Sequence, residues 1–223
     1  MIKNILNLGD AALYCDFGKE VNKDTNTQVI KYFKSIQKEN INGINNLTPS
    51  YNKLIISFDL KKTNFKNMKK IIESLNINNQ DKLNSKMIKV PVCIDENHAL
   101  DIKRLEEKLK MSREKIYEFF FKKEFFCYMT GFIAGMPFLG DLEVNMRAKR
   151  LETPRVKVPK GSVGLTEQFA NIYTFESPGG WNIIGKTPLN IFDSSKEKDP
   201  NLINPGDIIK FNQITKNQYQ NYD

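Results

Sequence analysis

Glycine and proline are spread unevenly along this 223-residue chain, and that asymmetry limits its architecture more than any other feature. Gly9, Gly18, Gly43, Pro49 and Pro91 are the only ones in the first 130 residues, whereas nine glycines and seven prolines follow. Residues that permit or enforce tight turns belong between short strands, and their scarcity leaves room for long periodic segments. Two architectures joined end to end are expected: a first domain over 1–90 and a second over 91–223. At this length either can bury a hydrophobic core.

In the first part, 12–17 reads as a strand and 25–39 as a helix with Val29, Ile30, Phe33 and Ile36 on one face. Segments 44–47 and 53–59 read as strands joined by a Thr48-Pro49-Ser50 turn, 65–75 as a second amphipathic helix and 87–93 as a closing strand. The order β-α-β-β-α-β is that of a ferredoxin-like α+β sandwich, with 76–85 as a polar loop inside it. Helical patches over 100–110 and from Ser112, a candidate N-cap, lead into the second part. There, short strands are expected at 125–130, 156–158, 172–175, 182–184, 189–192 and 208–211, the pattern of a barrel or sandwich, with a polar tail after Thr215.

The formal charge of +8 raises the question of nucleic acid. Lysine far outnumbers arginine, acidic residues are interspersed, and aromatics are not interleaved with the basic residues as a single-strand platform requires. Nucleic acid and membrane are therefore not expected partners. With no run of about 20 apolar residues and no apolar leader over 1–8, a cytoplasmic protein is expected. Cys15, Cys93 and Cys127 are odd in number and far apart, which argues for reduced, buried thiols and no metal site.

Residues Gly180-Trp181-Asn182-Ile183-Ile184-Gly185-Lys186-Thr187 satisfy the phosphate-loop pattern G-x-x-x-x-G-K-[ST]. The context opposes it: Pro188 keeps Thr187 from helical angles, and a Ser-Pro-Gly turn, not a strand, precedes Gly180. Lys186 is left as a candidate for meeting an anion. His98 is the only histidine and sits among Asp95, Glu96 and Asn97, far from any activated serine, so a proton-shuttling triad is not expected. Asp141, Glu143, Glu152, Glu176 and Asp207 lie in the turn-rich half, and spacing selects none of them. The segments 131–140, 153–155, 158–164 and 173–181 hold glycines and aromatics that either wall a ligand pocket or make the tight turns of a barrel.

These segments resemble a known pattern. Gly131-Phe132-Ile133-Ala134-Gly135-Met136, Thr153-Pro154-Arg155, Val158-Pro159-Lys160-Gly161-Ser162-Val163-Gly164, Ser177-Pro178-Gly179-Gly180-Trp181 and Pro205-Gly206-Asp207 occur in the order found in one family, that of allophanate hydrolase subunit 1 and the B-type 5-oxoprolinase subunits. Gly9-Asp10-Ala11-Ala12 and Pro49-Ser50-Tyr51-Asn52 look like its N-terminal motifs. The resemblance implies an N-terminal α/β domain and a C-terminal cyclophilin-like β-barrel. It also implies a polypeptide that acts with a homologous second one, either the C-type 5-oxoprolinase subunit or allophanate hydrolase subunit 2. An A-type subunit often joins them, and the joint reaction is ATP-dependent cleavage of 5-oxoproline to glutamate or an allophanate hydrolase-like cleavage of a ureide. One branch of the family instead inhibits a histidine kinase.

On this resemblance the expected catalytic residues are Arg155 and Ser177, and the expected substrate contacts are Gly135, Ser162, Glu176, Gly179, Gly180, Trp181 and Lys186. ATP is the cofactor expected of the complex. The chain departs from the family where a His-Thr pair is usual, since counting back from Gly131 reaches Phe120 and Phe121. It also carries Ala134, Met136 and Phe169-Ala170-Asn171 where the family has other residues.

Overall fold

The computed structural model describes residues 1–77 and 83–222 and divides into two compact units, Met1–Asn84 and Ser85–Asp223. In the first, strands β1 (Asn4–Asn7) and β2 (Ala12–Asp16) precede helix α1 (Lys23–Glu39), followed by β3 (Ile44–Pro49), β4 (Lys53–Phe58) and α2 (Phe65–Ser74). Asn22 caps α1 by accepting the Thr25 amide at 2.9 Å, and Asn64 caps α2 in the same way from Asn67 at 3.0 Å. Asn40 ends α1 in a left-handed conformation that asparagine tolerates. Val29 and Ile36 of α1, and Met68 and Ile72 of α2, pack on Leu13, Leu54, Ile56 and Phe58 of the sheet. The buried Asn26 amide donates to the Ser50 and Tyr51 carbonyls, fastening α1 to the turn between β3 and β4.

The sheet is antiparallel, in the order β1-β2-β4-β3. This corrects the expected role of 87–93, which is a strand but belongs to the other unit. The edge beside β2 that a closing strand would take in the split arrangement is held by Asn4–Asn7. The polar segment 76–85 lies partly outside the described residues.

The second unit begins with β5 (Met87–Cys93), α3 (Ile102–Leu109), α4 (Arg113–Lys122), β6 (Glu124–Thr130), β7 (Pro137–Gly140) and β8 (Arg155–Val158). It continues with β9 (Ser162–Thr166), β10 (Phe169–Ile172), β11 (Ser177–Gly179), β12 (Asn182–Lys186), β13 (Ile208–Ile214) and α5 (Lys216–Gln220). Seven strands close a barrel in the order β10-β7-β6-β13-β5-β12-β9, while β8 and β11 form a separate two-stranded ribbon. Strand β13 pairs in parallel with the whole of β5 and antiparallel with β6. Every second residue of these strands enters one core, as with Val90 and Val92, Phe125 and Cys127, Val163 and Leu165, Ile209 and Phe211.

Several expectations shift here. The strand expected at 172–175 ends at Ile172, where the register breaks: the Tyr173 amide still donates to the Ser162 carbonyl at 2.9 Å, but its carbonyl accepts from the Gly161 amide at 2.7 Å. Of the strand expected at 189–192 only a single bridge, Phe192 to Asn201, is formed. The tail after Thr215 is helical in α5, nucleated by a capping box between Thr215 and Gln218. The three cysteines are free and buried, and burial pushes the Cys15 thiol up to about 12. Among the described residues no helix is long and apolar enough to cross a membrane.

Phe120 and Phe121 turn out to be packing residues. Phe120 is 1% exposed, with its ring 4.8 Å from Phe211 and 5.2 Å from Phe125, so it seats α4 on the barrel. Phe121 stacks on Tyr117 at 5.9 Å. Deleting the Phe120 ring removes contacts to three neighbouring rings, Phe121, Phe125 and Phe211, and leaves a cavity, so Phe120→Ala should lower stability by roughly 3–5 kcal/mol, read as a fall in the urea midpoint. A variant as stable as the parent would show that α4 is not held by this ring.

Candidate functional site

Asp101 precedes α3 and is 4% exposed, an expensive place for a carboxylate unless its oxygens are bonded. It does not cap its own helix. Instead Oδ2 accepts the Ile183 amide at 2.7 Å, while the Asp101 amide donates to the Ile183 carbonyl at 2.9 Å, so the residue is clamped to β12 in both directions. Oδ1 accepts from Arg155 Nη2 at 2.6 Å. The other terminal nitrogen of Arg155 is buried and makes no hydrogen bond.

Arg155 opens β8 and lies opposite Gly179 on β11, which brings the 153–155 and 177–181 segments together. A Cβ on Gly179 would come within 2.1 Å of the Tyr173 hydroxyl, so this glycine is required by the close approach of Tyr173. At Gly180 a Cβ would meet the Arg150 guanidinium at 3.5 Å, ordinary contact, so Gly180 is not demanded by packing. Trp181 is 9% exposed and meets Phe138 edge-on, at 5.6 Å between centroids. Burial raises the Tyr173 phenol above its usual range, with Asn171, the Trp181 backbone and the charges of Arg150 and Arg155 acting against that rise. The buried Asn171 carboxamide lies near this phenol, but neither of its polar atoms completes a well-formed hydrogen bond.

The remaining candidates are dispersed. Ser177 lies on β11, its hydroxyl buried and without a hydrogen bond. Gly135 sits in the 131–136 turn at φ +69°, where a Cβ would strike Phe192 at 2.5 Å. Ser162 and Lys186 are register partners on β9 and β12, at the opposite end of β12 from Asn182. Lys186 Nζ is 6.0 Å from the centre of the Tyr219 ring, and His98 packs on that ring at 4.7 Å. The eight-residue phosphate-loop pattern is thus mostly strand β12, and its lysine ends a strand where the motif requires it to begin a helix. Glu176 is exposed and pairs with Lys157 at 3.2 Å.

The other carboxylates of the turn-rich half divide between structure and solvent. Asp207 accepts the Lys86 and Asn204 amides, and Asp141 accepts from the Tyr128 hydroxyl and Gln168. Glu143 and Glu152 are exposed.

The site is therefore a cationic corner where the β8–β11 ribbon meets β12 and the start of α3, and its ancestry can be placed. Residues 3–203 match the carboxyltransferase domain, subdomains C and D. The chain belongs to this family. The B-type 5-oxoprolinase subunit of Bacillus subtilis (strain 168) is 30% identical over 230 residues, covering 98% of this chain and 95% of that one. The crystal structure of the conserved uncharacterized protein PH0987 from Pyrococcus horikoshii superposes with a TM-score of 0.58 at 31% identity, covering 97% of this chain and 100% of the other. The crystal structure of TTHA0988 is similar with a TM-score of 0.83 at 25% identity, and there the match covers 92% of this chain but only 40% of the longer one.

Of the residues at this corner of the carboxyltransferase-domain chain, the sequence singled out Arg155, Gly179 and Gly180 as candidates and did not single out Asp101, Arg104, Arg150 or Asn182. Arg104 donates to Asn182 Oδ1 and, at 3.5 Å, to the Arg150 carbonyl. One available signal was rarity, since five arginines stand among 34 basic residues. Asp101 carried none, because an aspartate ahead of a helix reads as a cap. The close approach of Tyr173 to Gly179 is directly testable. Gly179→Ala should destabilise by about 1–3 kcal/mol through overpacking, and adding Tyr173→Phe should recover part of the loss in thermal unfolding. Equal melting temperatures for Gly179→Ala and the parent would refute the contact.

Proposed function

We propose that the chain is one component of an ATP-dependent amidohydrolase complex that opens 5-oxoproline to glutamate. The observation carrying this reading is the similarity to the B-type 5-oxoprolinase subunit of Bacillus subtilis over nearly the full length of both chains. A lactam carbonyl is a poor electrophile because its nitrogen donates into it. Transfer of the terminal phosphoryl group of ATP to the carbonyl oxygen releases ADP and removes that stabilisation. Water then adds at carbon, the C–N bond breaks with protonation of the ring nitrogen to leave a γ-glutamyl phosphate, and a second water hydrolyses that acyl phosphate to glutamate and phosphate. The contribution assigned to this chain is electrostatic, with Arg155 neutralising charge on the carbonyl or phosphoryl oxygens.

The chain acts only with its partners, a homologous C-type 5-oxoprolinase subunit and an A-type one. Its own single histidine packs on Tyr219, and the Ser177 hydroxyl has no hydrogen-bonded base beside it. In the same reading the complex is cytoplasmic and the barrel is cyclophilin-like. The N-terminal unit is then a ferredoxin-like sandwich in which β1 replaces the closing strand.

The test is reconstitution with the partner polypeptides and an assay of ATP-dependent glutamate release. Arg155→Ala should lower kcat by about 10²-fold or more in a complex that still assembles, with Arg155→Lys recovering part of the loss. An assembled complex without ATP-dependent turnover would sink the proposal.

A further inference from the structure

Of the five arginines, three gather around residues 180–183, in a chain whose other 29 basic residues (34 less five) are lysine. Arg104, in the first turn of α3, is oriented by two neutral acceptors, Asn182 Oδ1 and the Arg150 carbonyl. Asn182 is itself immobilised, 0% exposed and donating to the Lys149 and Leu165 carbonyls. Arg150 reaches back so that Nε and Nη2 lie 3.5 Å from where a Cβ on Gly180 would be. Arg155 completes the group, held by Asp101 through one nitrogen and leaving the other buried and unbonded.

The charge balance is uneven. Among the described residues Asp101 is the one carboxylate bonded to the group, and it is already committed to Arg155 and the Ile183 amide. Glu152 is exposed, and no ion pair among the described residues joins any carboxylate to Arg104 or Arg150. Three guanidiniums against one carboxylate leave two positive charges unbalanced around residues 180–183, beside the positive end of a helix. Like charges repel, and neutral acceptors fix their direction without cancelling them. Planar guanidinium forks suit tetrahedral oxyanions, and a doubly charged anion would balance the group.

We propose that Arg104, Arg150 and Arg155 form a binding site for a dianionic phosphoryl group, either free phosphate or the terminal phosphate of a nucleotide. The site rests on and deepens the amidohydrolase reading by placing a phosphate subsite in this chain, but binding and turnover are separate measurements. Lys186, the lysine of the phosphate-loop pattern, takes no part.

The experiment is calorimetric titration of the full chain with inorganic phosphate, and separately with ATP in EDTA, at low salt. Saturable binding is expected, weakened about tenfold or more by Arg150→Gln and by Arg104→Gln. Arg150 is exposed, so its variant keeps the fold. Lys69→Gln, which removes the same charge from an exposed pair with Glu73 in the other unit, should bind as the parent does. ATP binding tighter than phosphate assigns the site to a nucleotide, and equal affinities assign it to the free ion; both support the proposal. Absence of saturable binding, parental affinity in Arg150→Gln, or glutamate binding as tightly as phosphate would each overturn it. Phosphate binding by a chain whose assembled complex shows no turnover would leave this site standing while sinking the amidohydrolase reading.

Discussion

The buried carboxylate of Asp101 ties together three parts of the second unit that are far apart in sequence. It joins the start of α3 to the middle of β12 by paired hydrogen bonds and extends the connection to the β8–β11 ribbon through Arg155. Among the described residues ribbon and barrel share no ladder, so this clamp ties β8 to β12 by side chains, beside the covalent link from β11 through Gly180 and Trp181. A charge in that position is tolerable only while all its partners remain. Losing one partner of a buried pair costs roughly 3–5 kcal/mol, towards the lower end here because the Arg155 side chain keeps 28% exposure to solvent. What stabilises the ribbon also organises the arginines, so stability and anion recognition are coupled through one side chain.

The division of the chain was legible because glycine and proline act locally. Each turn needs its own residue at its own position, and nine glycines after residue 130 have few other uses than turns and close approaches. The destination of Met87–Cys93 was not legible, since a period-two apolar pattern specifies a strand and two faces but names no partner. Val90 and Val92 point into a core whichever sheet receives them. Only the seven-residue parallel register with Ile208–Ile214, a contact spanning more than a hundred positions, decides the matter. Asn4–Asn7 was missed for the converse reason: only Ile5 of its four residues is buried, so an edge strand left almost no apolar signature.

The site was partly legible for a related reason. Glycines reveal where backbone must come close to something, but not what the something is. At Gly179 it is the Tyr173 hydroxyl and at Gly135 the Phe192 ring, both internal packing. At Gly180 it is Arg150, a charge. The replacement of a family His-Thr pair by Phe120 and Phe121 looked like a loss of polar chemistry, yet Phe120 fills the seam between α4 and two barrel strands. An apolar residue at that position is explained by packing and carries no information about the arginine corner on another face of the same barrel.

The phosphate-loop pattern shows most directly how position in a fold overrides a motif. Its glycines and lysine would cradle phosphate only if a helix began at Lys186, so that successive amides converged on one point. Here residues 182–186 are extended, successive amides point alternately to either side, and Pro188 disfavours the helical angles that Thr187 would need. Lys186 is turned towards Tyr219 at one end of β12, while the unbalanced positive charge accumulates at the other, around Gly180 and Asn182. At roughly 3.3 Å per residue the two ends of this strand lie more than 10 Å apart, too far to share one phosphoryl group. The stretch that resembles a nucleotide motif therefore borders an anion site through its first three residues, by a geometry unrelated to the motif.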